Sequence, residues 1–123
     1  MTKIVLDSTA VIKYLRNELT LEEVGGNDSD LYISVITGME ALAYPDITAD
    51  EEQRAHDFLA ACVIIPLNRQ VQQEAIQFRR SSRRKLPDSI VAATAVVLGI
   101  PLFSHDPHML KASFPGLMVV SSL

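Results

Sequence analysis

Asp7, Glu40, Asp88 and Asp106 are the residues of this 123-residue chain whose type and placement point to shared chemistry. Asp7 closes an apolar run, Ile4-Val5-Leu6, and Asp106 follows a second one, Leu102-Phe103. Glu40 lies in the first turn of a predicted helix after Leu31 to Val35, and Asp88 opens a helical stretch behind Pro87. In an open α/β sheet, ligands bind beyond the carboxyl ends of the strands, and all four acids are predicted at that edge. Carboxylates gathered there repel, each pair costing on the order of 4 kcal/mol at about 4 Å and an effective dielectric near 20. A cation must offset that cost, and hard oxygen ligands select Mg²⁺ or Mn²⁺.

Each acid also has a local role open to it. Asp7, before Ser8-Thr9, can cap a helix, and Thr37-Gly38-Met39-Glu40 fits the T-x-x-E capping box. Asp88 suits a first helical turn, and Asp106 before Pro107 is a natural cap. Convergence of the four at one edge argues for chemistry more strongly than any one of them.

Bringing residues from both ends of the chain together requires strands alternating with helices, and the apolar patterning supplies them. Ile4 to Leu6 is unalternating, as in a central parallel strand buried on both faces. Helical character follows from Ser8 to Leu15. After the turn-rich Gly25-Gly26-Asn27-Asp28, a strand is predicted over Leu31 to Val35 and a helix over Ile36 to Ala43. Ala55, Phe58, Leu59 and Cys62 share one helix face within Ala49 to Cys62. Val63 to Ile65 is a brief strand, and Asn68 to Arg84 a helix with Val71, Ala75 and Phe78 on one stripe. Pro87 to Leu98 is a helix that stops at Gly99, and its Ala92, Ala93 and Ala95 favour close packing. Leu102-Phe103 and Leu117 to Val120 complete five strands. With no NG or DG hairpin between strands, the fold class is α/β: an α/β/α sandwich on a mainly parallel sheet. A single domain over residues 1–123 is expected.

Composition narrows the function. One cysteine, Cys62, excludes an intramolecular disulfide framework and a CxxC metal site, which suits a reducing cytoplasm. No Trp and 6% aromatics argue against a base-stacking sheet platform. The run after Met1-Thr2-Lys3 is too short for a secretion signal, and no stretch suggests a membrane span. Net charge is −4, yet five of the eleven Lys and Arg fall within residues 79–85: Arg79, Arg80, Arg83, Arg84 and Lys85. Such a knot on an acidic body fits a local anion contact, or the complement of a helix dipole at its carboxyl end. His105 and His108 flank Asp106 and read as loop histidines, and His56 as a surface one.

These residues together resemble the PIN-domain ribonucleases, of the kind that act as the toxin in VapBC-type toxin–antitoxin pairs. The matching segments are Ile4-Val5-Leu6-Asp7-Ser8-Thr9-Ala10-Val11-Ile12, Tyr32-Ile33-Ser34-Val35 leading to Glu40, Leu86-Pro87-Asp88-Ser89-Ile90-Val91-Ala92-Ala93-Thr94-Ala95, and Leu102-Phe103-Ser104-His105-Asp106. The resemblance implies Mg²⁺-dependent endonuclease activity on RNA, with Mn²⁺ as a substitute. It implies that Asp7, Glu40, Asp88 and Asp106 form the acidic quartet that binds metal, and that Thr9 and Ser104 support the acids. On chemical grounds Asp7, Asp88 and Asp106 contact the metal directly or through water, and Glu40 either orients or deprotonates the attacking water or only ligates. Arg83, Arg84 and Lys85 would then hold the RNA backbone beside the acidic pocket. A cognate antitoxin laid along a groove near the site, and a homodimer, are also implied. After Asp106 the chain departs from the family pattern, with His108 and Met109 where many relatives place another Asp and an aromatic. That weakens the case for a second metal position.

Three rival readings make different demands. A receiver-type signalling domain wants paired acids after the first strand and a Lys before a late Pro; Asp7 stands alone, and Ile100 precedes Pro101. A haloacid-type phosphatase wants a second Asp where Thr9 stands. A non-catalytic PIN-like module would bind RNA or protein only, and the presence of all four acids argues against it.

Overall fold

A computed structural model describes residues 2–25 and 29–122. Gly26, Asn27 and Asp28, read above as turn, lie outside the described residues. The elements run β1 (Thr2–Leu6), α1 (Ser8–Leu15), a 3₁₀ turn at Glu22–Val24, β2 (Ser29–Ser34), α2 (Val35–Leu42) and α3 (Ala49–Ala60). There follow β3 (Val63–Ile65), α4 (Arg69–Ser82), α5 (Leu86–Leu98), β4 (Leu102–Phe103), α6 (Pro107–Leu110) and β5 (Val119–Val120). All strand pairs are parallel, in the order β3-β2-β1-β4-β5. The expected five-stranded α/β sandwich is the fold observed. A receiver-type fold places β3 beside β1; here β4 holds that position.

The unbroken apolar run of β1 is explained by a core on each face. Ile4 and Leu6 pack with Ala10 and Val11 of α1, Phe58 and Leu59 of α3, and Phe103. Val5, pointing the other way, packs with Phe78 of α4, Val91, Ala92 and Ala95 of α5, Leu102 and Met109. A strand buried on both sides anchors two layers at once, each large aliphatic side chain contributing about 1.5–3 kcal/mol. The α5 alanines serve packing as expected: Ala93 meets Val71 and Ala75 where α4 and α5 touch. Gly99 caps α5 at φ 68°, the left-handed conformation in which glycine carries no Cβ penalty.

One predicted cap is not made. β2 runs directly into α2, and Ser34 caps that helix by accepting the Ile36 N–H at 3.2 Å. Thr37 therefore lies inside the helix, buried, and Glu40 falls in its second turn rather than its first. The capping box appears instead at the start of α3, between Thr48 and Glu51. Helix α4 also ends earlier than expected, at Ser82, because Arg83 takes a left-handed conformation at φ 59°. Cys62 sits beyond α3, half-buried against the first core, and burial pushes its thiol up to about 11.

Candidate active site

The chain leaves β1 toward one edge, builds β2 and β3, then returns to place β4 on the other side of β1. The crevice at such a reversal is where doubly wound sheets take ligands. Leu6 pairs with Phe103 across it, and the Asp7 N–H donates to the Phe103 carbonyl at 3.3 Å. Asp7 and Asp106 thus leave adjacent strand ends. Each caps the helix that follows: Asp7 Oδ1 accepts from the Ala10 N–H at 2.8 Å, and Asp106 Oδ1 from the His108 N–H at 2.9 Å. The local roles are realised, yet capping occupies one oxygen of each carboxylate.

Ser104, fully buried between these acids, ties them together. Its Oγ accepts from the Asp106 N–H at 3.0 Å, and its hydroxyl favours the charged form of the Asp7 carboxylate. Asp7 is 8% exposed, and burial raises its carboxyl above the usual range. The Ser104 and Ala10 hydrogen bonds pull it back, while the charges of Asp106 and Asp88 push it further up. Three of the four predicted acids therefore share one electrostatic neighbourhood.

A cation already stands between two of them. Arg84 Nη2 donates to Asp88 Oδ2 at 3.0 Å and to Asp106 Oδ2 at 2.5 Å. Burial works against the Asp106 charge, but Arg84 and the His108 N–H outweigh it and hold that carboxyl below its ordinary value. Arg84 is raised in turn, its own burial being outweighed by Asp106 and Asp88. The sequence placed Arg84 among the residues for RNA; the structure turns its guanidinium onto the acids. The turn responsible begins at left-handed Arg83, and Ser82 Oγ accepts the Arg84 N–H at 3.2 Å. Arg84 Nε is buried without a hydrogen-bond partner.

Glu40 is tied to Ser8, the residue after Asp7, whose hydroxyl donates to Glu40 Oε1 at 2.6 Å and lies 3.2 Å from Thr37 Oγ1. Thr9 is exposed, so the hydroxyl that meets Glu40 belongs to its neighbour. Ser8 and Thr37 escaped the sequence reading because their meeting depends on how α1 lies on α2. His105 is structural rather than a free loop residue. Its ring lies 5.0 Å from that of Phe103, Lys13 Nζ is 3.3 Å from Nδ1, and the Ser121 carbonyl is 3.2 Å from Nε2. Arg79 and Arg80 close α4 in its last turn, as dipole complementation requires, whereas Arg83 and Lys85 are exposed at the α4–α5 junction.

Among the described residues, no three His, Cys, Asp or Glu side chains stand close enough together to hold a metal ion. The donor set nevertheless fits Mg²⁺ or Mn²⁺ in kind: mutually repelling carboxylate oxygens, with a guanidinium filling the place of a cation between two of them.

The strand order sets Asp7 and Asp106 at the β1–β4 crevice, and the sequence profile of the PIN domain family matches residues 4–115. The chain belongs to that family. Its fold is similar to that of a chain in a toxin–antitoxin complex from Klebsiella pneumoniae, at 25% identity and TM-score 0.73, covering 94% of this chain and 95% of that one. It is also similar to a chain of VapBC2 from Rickettsia felis bound to a DNA fragment from their promoter, at 14% identity and TM-score 0.79, covering 97% and 98%. DNA-bound VapBC from Salmonella typhimurium gives 20% identity and TM-score 0.78, with 98% of each chain covered. No curated protein matches the sequence.

Proposed function

We propose that the protein is a Mg²⁺-dependent endoribonuclease, the toxin of a VapBC-type pair. The observation that carries this is Arg84 drawn between Asp88 and Asp106 near buried Asp7, whose carboxyl the charges of those two acids push further up. When bound, the metal would lower the pKa of a water, orient it and stabilise charge on the transferring phosphate. Asp7, Asp88 and Asp106 would hold the ion. Glu40 has Oε1 fixed by Ser8, which leaves Oε2 to accept a proton from the attacking water. Hydrolysis by water leaves a 5′-phosphate and a 3′-hydroxyl. Arg83 and Lys85 would hold backbone phosphates, and Arg84, once released from the acids, would join them.

The antitoxin partner follows from the resemblance and from a groove of about 230 Å³ among α1, α2 and the start of α3. Ile12, Leu15, Ala41 and Tyr44 give it an apolar floor, and Ala41 is the residue after Glu40. A homodimer and a cytoplasmic location belong to the same reading and rest on resemblance. No described helix is long and apolar enough to cross a membrane.

Purified protein incubated with total RNA and Mg²⁺ or Mn²⁺ should yield fragments bearing 5′-phosphate. EDTA and Asp88→Asn should each remove them. A second reading, a non-catalytic RNA- or protein-binding PIN module, draws on the clamped state of Asp88 and Asp106. Folded protein that binds neither ion and cuts no RNA would favour it.

A further inference from the structure

Beside the acids, on the side of α6, lies an open cleft of about 670 Å³. One wall is the α4–α5 junction, with Arg83, Arg84 and Lys85; the other is α6 and the residues after it, with His108 and Lys111. Asp88 is the one acid in the lining, although the chain as a whole carries net charge −4. Arg83, Lys85, His108 and Lys111 are exposed and free to meet a ligand. Hydroxyls of Ser81, Ser82 and Ser113 complete the lining, and Ala112 is its only apolar side chain. A protein partner is gripped by buried aromatic, aliphatic or Arg anchors seated in pockets. Phosphodiester backbones are instead held by Lys, Arg and hydroxyl groups, which position a strand without reading it. This lining is of the second kind.

We propose that the cleft carries the phosphodiester backbone of single-stranded RNA past Asp88, with Lys111 and His108 gripping it from the wall that faces Arg83 and Lys85. The proposal rests on the nuclease reading and deepens it, because it fixes the side from which substrate enters. Lys111 and His108 are positioning residues, holding flanking phosphates while the acids act on one bond.

The test is fluorescence anisotropy of a labelled single-stranded RNA oligonucleotide in EDTA, where nothing is cut. Lys111→Ala should weaken binding severalfold, and the Lys85→Ala, Lys111→Ala double variant by about tenfold or more. Loss of one phosphate contact should also flatten the slope of log affinity against log salt by roughly 0.7. Lys3→Ala, at the opposite end of β1, should bind as the wild type does, and circular dichroism should show every variant folded. Unchanged affinity and salt slope in the double variant would overturn the proposal. So would polyglutamate bound more tightly than RNA through Lys111, which would assign the cleft to an acidic protein segment. The two readings fail separately. RNA held through Lys111 but never cut with Mg²⁺ or Mn²⁺ would leave the track standing and remove the nuclease; cutting with Lys111-independent affinity would do the reverse.

Discussion

Asp7 and Asp106 end neighbouring parallel strands, and each caps the next helix with one carboxylate oxygen. Their titrations nevertheless move in opposite directions, Asp7 upward because it is buried and Asp106 downward because Arg84 reaches it. Identical backbone duty has produced two electrostatic environments. Asp7 bears an uncompensated charge in the floor of the site, and Asp106 is half of a clamp at its rim. The contrast shows where an incoming cation would gain most: it would relieve Asp7 and compete with Arg84 for the other two.

The largest effect should come from removing the floor or the rim outright. Asp7→Asn or Asp88→Asn is expected to abolish Mg²⁺-dependent RNA cleavage while circular dichroism shows the fold intact. Full activity in either variant would remove these acids from the site.

Arg84→Gln would sharpen the comparison by making Asp106 resemble Asp7. Partly exposed pairs contribute about 0.2–1 kcal/mol each, so removing two should tighten Mn²⁺ binding severalfold in a calorimetric titration. Unchanged or weaker binding would mean that Arg84 does not compete with the ion. The Asp106 carboxyl, followed by NMR, should rise toward its ordinary value.

Stability should split the two acids by sign. A raised carboxyl binds its proton more tightly in the folded state, so its favourable contribution exists in acid and is lost as pH rises through the folded pKa. Asp7→Asn keeps a capping oxygen and removes a buried charge, so it should raise Tm at neutral pH, with the gain vanishing at about pH 3. Asp106 is the reverse: its contribution is present above the ordinary pKa and lost as pH falls through the lowered one. Asp106→Asn should lower Tm at neutral pH by a few degrees at most, corresponding to about 1 kcal/mol or less, and match the wild type in strong acid. Equal pH profiles for the two variants would contradict the contrast.

Arg83→Gly is the smallest change. It relieves a left-handed non-glycine residue and should stabilise the fold by about 1 kcal/mol in urea titration, while weakening RNA binding. A destabilised variant would show that the Arg83 side chain, not its backbone, holds the α4–α5 turn.

Parallel sheet, helix order and the positions of Asp7, Asp88 and Asp106 were legible because each depends on local signals: an apolar run, a capping residue, a proline in a first turn. The position of Glu40 within α2 was misread because two capping signals, Ser34 and Thr37, competed, and the directness of the β2–α2 junction chose between them. Ser8 on Glu40, His105 between Lys13 and Ser121, and Lys111 facing Lys85 had no sequence signal at all.

The sequence by itself determined which residue types end each strand and open each helix, since turns, caps and hydrophobic period act over a few residues. Only the tertiary structure decided that Arg84 faces the acids while Arg83 and Lys85 face solvent. A left-handed turn one residue long separates those outcomes, and the energy that settles them comes from carboxylates delivered by β4 and α5, remote from it in the chain.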